Sequence, residues 1–530
     1  MAESTRVLPA LMAAAGVLLC QAAIAQAPDQ KLGKVHFETS CTPAAAAAFD
    51  RGMLYQHSFW YRASQRDFQE ALKDDPGCGI AYWGIALSLL WNPHIAPPVK
   101  NLADGAAALA KGKDVGARTE RERDYITALS AMYTDFGNVD HHTRVLNYMK
   151  AMEQLAAKYP NDDEAQIFYA LSLNVAASPA DKTYANQLKG AAILEKIWVR
   201  QPDHPGIPHY LIHLYDTPAL AEKGITAARS YAKVAPDAPH ALHMPSHIFT
   251  RVGYWQESID SNIASVRAAK EDNESADELH AMDYEVYAYL QLGQDARAKA
   301  VIDDMMKVPV SSETFLAAAY ALAASPARYA VERGDWKAAS ALEVRPSTLP
   351  HITALSWFAK GLGAARSGDA AQAQTAVTHL ATLRDQLRQK KDAYWSEQVD
   401  IQLQITTAWM QLAMGQQDVA LKTMGDAADA EDKTEKHPVT PGQLTPAREL
   451  YGAMLLQQGK AVEALAAFEA TMRKEPNRMN ATLGAANAAA ASGDNAKARQ
   501  YFAAAIVLGS DPSVVRPEIA QARAFLASAK

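Results

Sequence analysis

Cysteine is scarce in this sequence: there are three in 530 residues, and Cys20 falls within an apolar N-terminal stretch. Cys41 and Cys78 remain, an even pair that favours one disulfide over a metal site or a reactive thiol. Basic charge is not in excess either. A formal net charge of −7 gives no electrostatic reason to expect a polyanion, so nucleic acid is excluded as an expected partner. After residue 25 no run of about 18 uncharged apolar residues occurs, so no membrane span is expected. A GxSxG elbow, a Walker loop, a Cys nucleophile and the HExxH helix of zinc proteases are all missing, which removes those hydrolase and nucleotide-binding classes.

The first 25 residues read as an export signal. Arg6 opens it, Val7 to Ala23 supply the apolar stretch, and Ala23-Ile24-Ala25 offers a small-residue cleavage site after Ala25. Leu19 before Cys20 is not the small residue that a lipid-anchored signal needs. A periplasmic or secreted location is expected, and an oxidising compartment suits a Cys41–Cys78 bridge.

A recurrence of about 34 residues runs through the rest. In a frame starting at Thr445, Gly452 is position 8, Gly459 position 15, Ala464 position 20, Phe468 position 24 and Pro476 position 32. A frame starting at Met479 returns Gly493, Ala498 and Phe502 at positions 15, 20 and 24. Near the other end, a frame from Ala45 places Gly52 at 8, Phe68 at 24, Ala71 at 27 and Pro76 at 32, and Gly253, Gly293, Gly334, Gly368 and Gly415 mark repeats between. Small residues let neighbouring helices approach to roughly 8–10 Å while large ones fill the remaining space.

This pattern resembles the tetratricopeptide (TPR) family. The resemblance implies an all-α solenoid of about eleven or twelve helical hairpins, stacked as a right-handed superhelix with a concave groove lined by first helices. Cys41 and Cys78 then lie just before the first helices of adjacent hairpins, which supports their pairing. The expected organisation is a signal (1–25), a lead-in (26–44), N-terminal repeats (45–204), central His-rich repeats (205–312), further repeats (313–431), a Pro-rich connector (432–444) and C-terminal repeats (445–530). The stretch 97–119 breaks the phase and reads as a longer connection or an irregular hairpin. Trp83, Trp91, Trp357 and Trp409 read as core or groove wall, and Gly361-Leu362-Gly363 as packing glycine.

Histidine is concentrated. Seven of 15, namely His204, His209, His213, His240, His243, His247 and His280, fall between residues 204 and 280. The pairs 209/243 and 213/247 each differ by 34 residues, one repeat, so His209 and His243 share position 5 and His213 and His247 share position 9. Residues four apart occupy one helix face. In TPR proteins positions 2, 5, 9 and 12 or 13 face the groove. The resemblance therefore adds His240 and His280 at position 2, Asp216 at 12, Arg251 at 13, and Asp283 and Tyr287 at positions 5 and 9 of the next repeat.

Imidazoles and a carboxylate converging from neighbouring helices suit Zn²⁺ or Cu²⁺. The expected ligands are His209, His213, His243, His247 and Asp283, with Met244 near enough to favour copper. Mutual hydrogen bonding, or a grip on a peptide carboxylate, is the competing reading of the same rings. Pro245, inside a first helix, is expected to kink it. The phrases HPG..HYLIH.YD, HALHMPSHIF and EKHPVTPG resemble those of a set of uncharacterised secreted bacterial TPR proteins, and His437 in the last phrase is a candidate extra ligand. The leading expectation is a protein, peptide or small ligand bound in the groove. The alternatives are a copper- or zinc-dependent enzyme using the His cluster, and metal storage or delivery.

Overall fold

The structure, a computed structural model, describes residues 30–310 and 316–528. The export signal and its cleavage point therefore lie outside the described residues. Among these residues the regular elements are helices, with no strand, and those from Lys31 onward form one compact unit.

Helices follow one another in pairs joined by tight turns, as in Ala447–Gln457 with Ala461–Lys474 and Met479–Ser492 with Asn495–Leu508. Glycine builds the turn within a pair. Gly493 ends Met479–Ser492 at φ +85°, a left-handed conformation that a Cβ disfavours. Gly253 does the same at φ +71° after Pro245–Val252, and a Cβ there would also collide with the Pro476 carbonyl.

One packing rule recurs at both ends of the chain. A Cβ on Gly52 or Gly84 would lie 2.7 or 2.5 Å from the ring of Phe68, so that ring is wedged between two bare backbones. Phe468 is wedged between Gly452 and Gly484 in the same manner. In each case the phenylalanine lies 16 residues after one glycine and 16 before the other. The wedge thus joins position 8 of one repeat to position 6 of the next, 32 residues on, and the recurrence records which side chain fills the gap between stacked hairpins.

The phase break at 97–119 contains a helix, Val99–Val115, where Gly105 makes room for the ring of Tyr133. Cys41 and Cys78 are joined, closing a loop of 37 residues, a constraint that stabilises by ~3–4 kcal/mol. The first helix of the second His block is divided into Pro239–His243 and Pro245–Val252, because Pro245 has no N–H to continue the ladder.

The inner wall of the central repeats is covered, and here the structure departs from an open groove. Residues of the Pro-rich connector pack onto it: Tyr284 donates its hydroxyl to the Thr440 carbonyl at 2.9 Å, and Tyr320 and Arg328 both donate to the Gly442 carbonyl at 3.2 Å. The C-terminal hairpins add a clamp. Arg478, fully buried, binds Glu332 at 2.7 Å, Glu449 at 2.9 Å and the Tyr287 hydroxyl at 2.7 Å. Arg516 pairs with Asp295 at 2.6 Å, and the Trp255 indole donates to the Asn477 carbonyl at 2.7 Å.

If the glycine–phenylalanine wedge sets the hairpin spacing, Gly484→Ala overpacks it and costs ~1–3 kcal/mol. Chemical denaturation should show the loss, and Phe468→Leu in the same chain should recover part of it. A neutral Gly484→Ala would mean that the wedge does not hold the hairpins at this distance.

Candidate metal centre

The helix Gly206–Tyr215 is buried along its whole length and carries His209 and His213 on one face. His209 is fixed from outside its own repeat: its Nδ1 donates to the His57 carbonyl at 2.6 Å. With the ring proton spent there, Nε2 holds a lone pair. The Nε2 atoms of His213 and His240 each lie 3.2 Å from it. One lone pair accepts one N–H well, so hydrogen bonding alone satisfies only one of these two contacts.

A second trio repeats the arrangement. His243 Nδ1 faces Asn262 Oδ1 at 2.7 Å, and the orientation of that amide is set because its nitrogen donates to the Ser258 carbonyl at 2.7 Å. His247 Nδ1 faces the carboxylate of Asp216 at 3.0 Å. Both rings therefore carry their proton on Nδ1, and their Nε2 lone pairs point at each other 3.1 Å apart. His280 completes the group, its ring 4.3 Å from that of His243. In each trio the ligand atoms all lie within 4.8 Å of one another.

The trios are neighbours. The rings of His213 and His247 are 6.1 Å apart and those of His240 and His243 6.2 Å. All six are buried, from 0% exposed at His209 to 9% at His240. Burial lowers every one of them: His209 to about 3, His213, His240, His243 and His280 well below the ordinary imidazole value, and His247 also below it although Asp216 opposes the shift. The rings are neutral at pH 7 and their nitrogens are available as donors to a cation.

Asp216 is the hub of the surrounding charge. Besides His247 it binds Arg251 at 2.8 Å and Lys436 at 2.8 Å. Burial pushes its carboxyl up, but Lys436 and Arg251 outweigh that and hold it below its usual range. Lys436 is itself lowered to about 8 by burial, against the pull of Asp216.

Several expected residues are placed differently. The four imidazoles expected to share one ion with Asp283 divide between two trios, and His240 and His280 take the third places. Asp283 ligates neither trio: its Oδ1 pairs with Arg328 at 2.6 Å and accepts from Ser325 at 3.0 Å. Tyr287 turns to Arg478 and Glu475. Met244 is buried in the hydrophobic core. His437 stacks on Trp395 at 5.2 Å, while its neighbour Lys436 is the residue that reaches the centre.

Sequence reasoning missed the partners that fix these rings. His57, Asn262 and Lys436 carry no repeat spacing, although Lys436 stands inside the EKHPVTPG phrase. Phe59 was missed as well; its ring packs on His209, His213 and His240 at 4.3, 5.7 and 5.3 Å. His94, whose Nε2 is buried without a partner, lies 4.8 Å from His213, ring to ring.

A third group with ligand spacing, His57, Glu164 and His204, is of another kind. His204 Nδ1 accepts from the Gly206 N–H at 3.2 Å, so its Nε2 donates to Glu164 at 2.8 Å, and His57 Nε2 lies 3.0 Å from the other carboxylate oxygen. Every proton here has an acceptor. This group braces the backbone of His57, whose carbonyl orients His209.

Buried neutral imidazoles make stability depend on pH. Their folded values lie below the unfolded one, so the unfolded chain takes up protons first and stability falls as pH drops below about 6.5. His209 and His437 stay neutral to about 3 and His94 to about 4, so each should cost ~1.4 kcal/mol per pH unit over that window. Metal-free protein should therefore lose much of its urea midpoint between pH 7.5 and 5.0. An unchanged midpoint would show that these rings are already protonated or solvated.

Residues 455–514 match the family model for the tetratricopeptide repeat. No curated protein matches the sequence. Among solved structures, yeast Tom70 is similar at 12% identity, with 91% of this chain and 96% of that one covered and a TM-score of 0.27. The human IFIT1 dimer with m7Gppp-AAAA is similar at 11% identity, 89% and 98% coverage and a TM-score of 0.36. Scores this low say nothing about what this chain binds. The matched segment contains the helices Ala461–Lys474, Met479–Ser492 and Asn495–Leu508; it is tetratricopeptide repeat, and the same wedge of phenylalanine between glycines recurs at Phe68, near the other end of the chain.

Proposed function

We propose that this is a metal-dependent, periplasmic or secreted protein in which each histidine trio holds one ion of copper or zinc. The observation that carries the reading is the Nε2–Nε2 contact of His243 and His247 at 3.1 Å, with the Nδ1 of each ring already facing an acceptor, Asn262 and Asp216. Two Nε2 lone pairs so placed repel unless a cation lies between them, and burial disfavours a proton as that cation. Ligand nitrogens about 2.0–2.1 Å from a tetrahedral ion are roughly 3.3 Å apart, close to the 3.2 and 3.1 Å contacts in the two trios. Partners on Nδ1, the His57 carbonyl, Asn262 and Asp216, are what a metal-ligating imidazole requires to fix its tautomer.

Three protein ligands leave a coordination position open, which favours catalysis over closed storage. A peptide-binding groove is less well supported, since the connector and the Arg478 clamp occupy the wall where a peptide would lie. Export rests on the apolar start of the sequence and on the Cys41–Cys78 bridge, which suits an oxidising compartment.

Metal analysis of purified protein tests the proposal. Two equivalents of copper or zinc per chain are expected, with about one lost in His209→Ala, about one in His243→Ala, and both in the double variant. A folded protein that takes up neither metal, or whose content the double variant leaves unchanged, would refute it.

A further inference from the structure

Beside the trios lies a cavity of about 220 Å³ whose wall includes one imidazole of each, His240 and His280. The remaining wall combines Phe59, Trp60, Trp91 and Val439 with the polar side chains of Arg62, Glu274 and Asp277. An apolar cavity of ~150 Å³ accepts benzene, so this one suits a substituted aromatic ring, which can pack on Phe59 while its substituents face the metal positions.

Six neutral imidazoles supply no negative charge. Asp216 is already matched by Arg251 and Lys436, and Asp283 by Arg328. Each trio thus offers three neutral nitrogens and no anionic ligand, a donor set that suits Cu⁺ as well as Zn²⁺. Cu⁺ accepts three nitrogen ligands and leaves one side free. Unlike zinc, it gives up an electron.

We infer that the two trios form a coupled copper pair that reduces dioxygen at the expense of an aromatic 1,2-diol held in the cavity beside His240 and His280. This rests on the proposed occupancy of both trios and adds the metal, the oxidant and the substrate class. The two coppers together cycle by two electrons, the number that separates such a diol from its ortho-quinone. Each diol loses two electrons and two protons from its hydroxyl groups and leaves as the quinone. Dioxygen receives the four electrons and four protons of two diols, its O–O bond breaks, and two waters depart. No further reductant is consumed.

The test uses the full chain loaded with two equivalents of Cu⁺ without air, then given oxygen and 4-methylcatechol. The oxidised protein should hold two coppers with little paramagnetic resonance signal, since neighbouring Cu²⁺ ions couple their spins. It should consume one dioxygen per two molecules of diol. His280→Ala should keep the copper of the first trio, show an uncoupled Cu²⁺ signal and lose diol oxidation at least 100-fold. Two bound coppers with full signal intensity, or two coppers that oxidise no diol, overturn this inference and leave the metal-binding proposal intact. Failure to bind copper or zinc at all overturns both, and because the wild-type chain gives this readout, misfolding of a variant does not decide it.

Discussion

The carboxylate of Asp216 is where the fold and the centre depend on each other. It terminates the helix Gly206–Tyr215, accepts from His247 on the next repeat, and is held between Arg251 and Lys436. Lys436 arrives from a segment 220 residues away, so this buried ion pair joins the hydrogen bonds to Thr440 and Gly442 in fastening the connector over the inner wall. Were Asp216 neutral, two cations would remain buried without a counter-charge, a loss of several kcal/mol. His247 would also lose its charged acceptor, leaving the Tyr284 hydroxyl at 3.3 Å as the other partner of its Nδ1.

The first trio depends in the same way on residues far upstream. His209 is oriented by a backbone carbonyl of His57, and His57 is held by Tyr210 at 3.0 Å and by Glu164. Glu164 is kept ionised because the two imidazoles beside it outweigh its burial. Three hairpins thus supply one tautomer. A carbonyl and a carboxylate do the same work in the two trios, since each is an acceptor that neither moves nor protonates near neutral pH.

The sequence made the local part of this legible. Glycine, alanine and phenylalanine at fixed offsets report contacts within a hairpin or with the next one, and the two HxxxH pairs report a helix face. Both signals span fewer than about 35 residues. Asp283 shows where such reasoning stops: its register placed it beside the histidines, yet Arg328 of the following repeat binds it at 2.6 Å. Tyr287 is drawn away by Arg478, 191 residues later. Nothing in spacing reveals a competitor of that kind. The division into two trios was hidden for a related reason, since it depends on how His240, at the start of Pro239–His243, and His280, in the second turn of Ser275–Gln291, lean toward different neighbours.

A pure repeat array is quasi-one-dimensional: each hairpin touches its neighbours, and its stability is a sum of local terms. Such an array bends and frays from its ends, which suits a surface that wraps a partner. A metal pair has the opposite need, because displacing one nitrogen by a few tenths of an ångström weakens its bond to the ion. The proposed pair would find that rigidity in contacts across the array, from Arg478 to Glu332, Arg516 to Asp295 and Lys436 to Asp216. Because these pairs are desolvated, breaking one leaves an uncompensated charge inside the protein, so the central repeats cannot open without disturbing the C-terminal ones. The repeats provide the regular spacing that brings the imidazoles near one another, and the cross-array ion pairs supply the rigidity that a ladder of hairpins lacks.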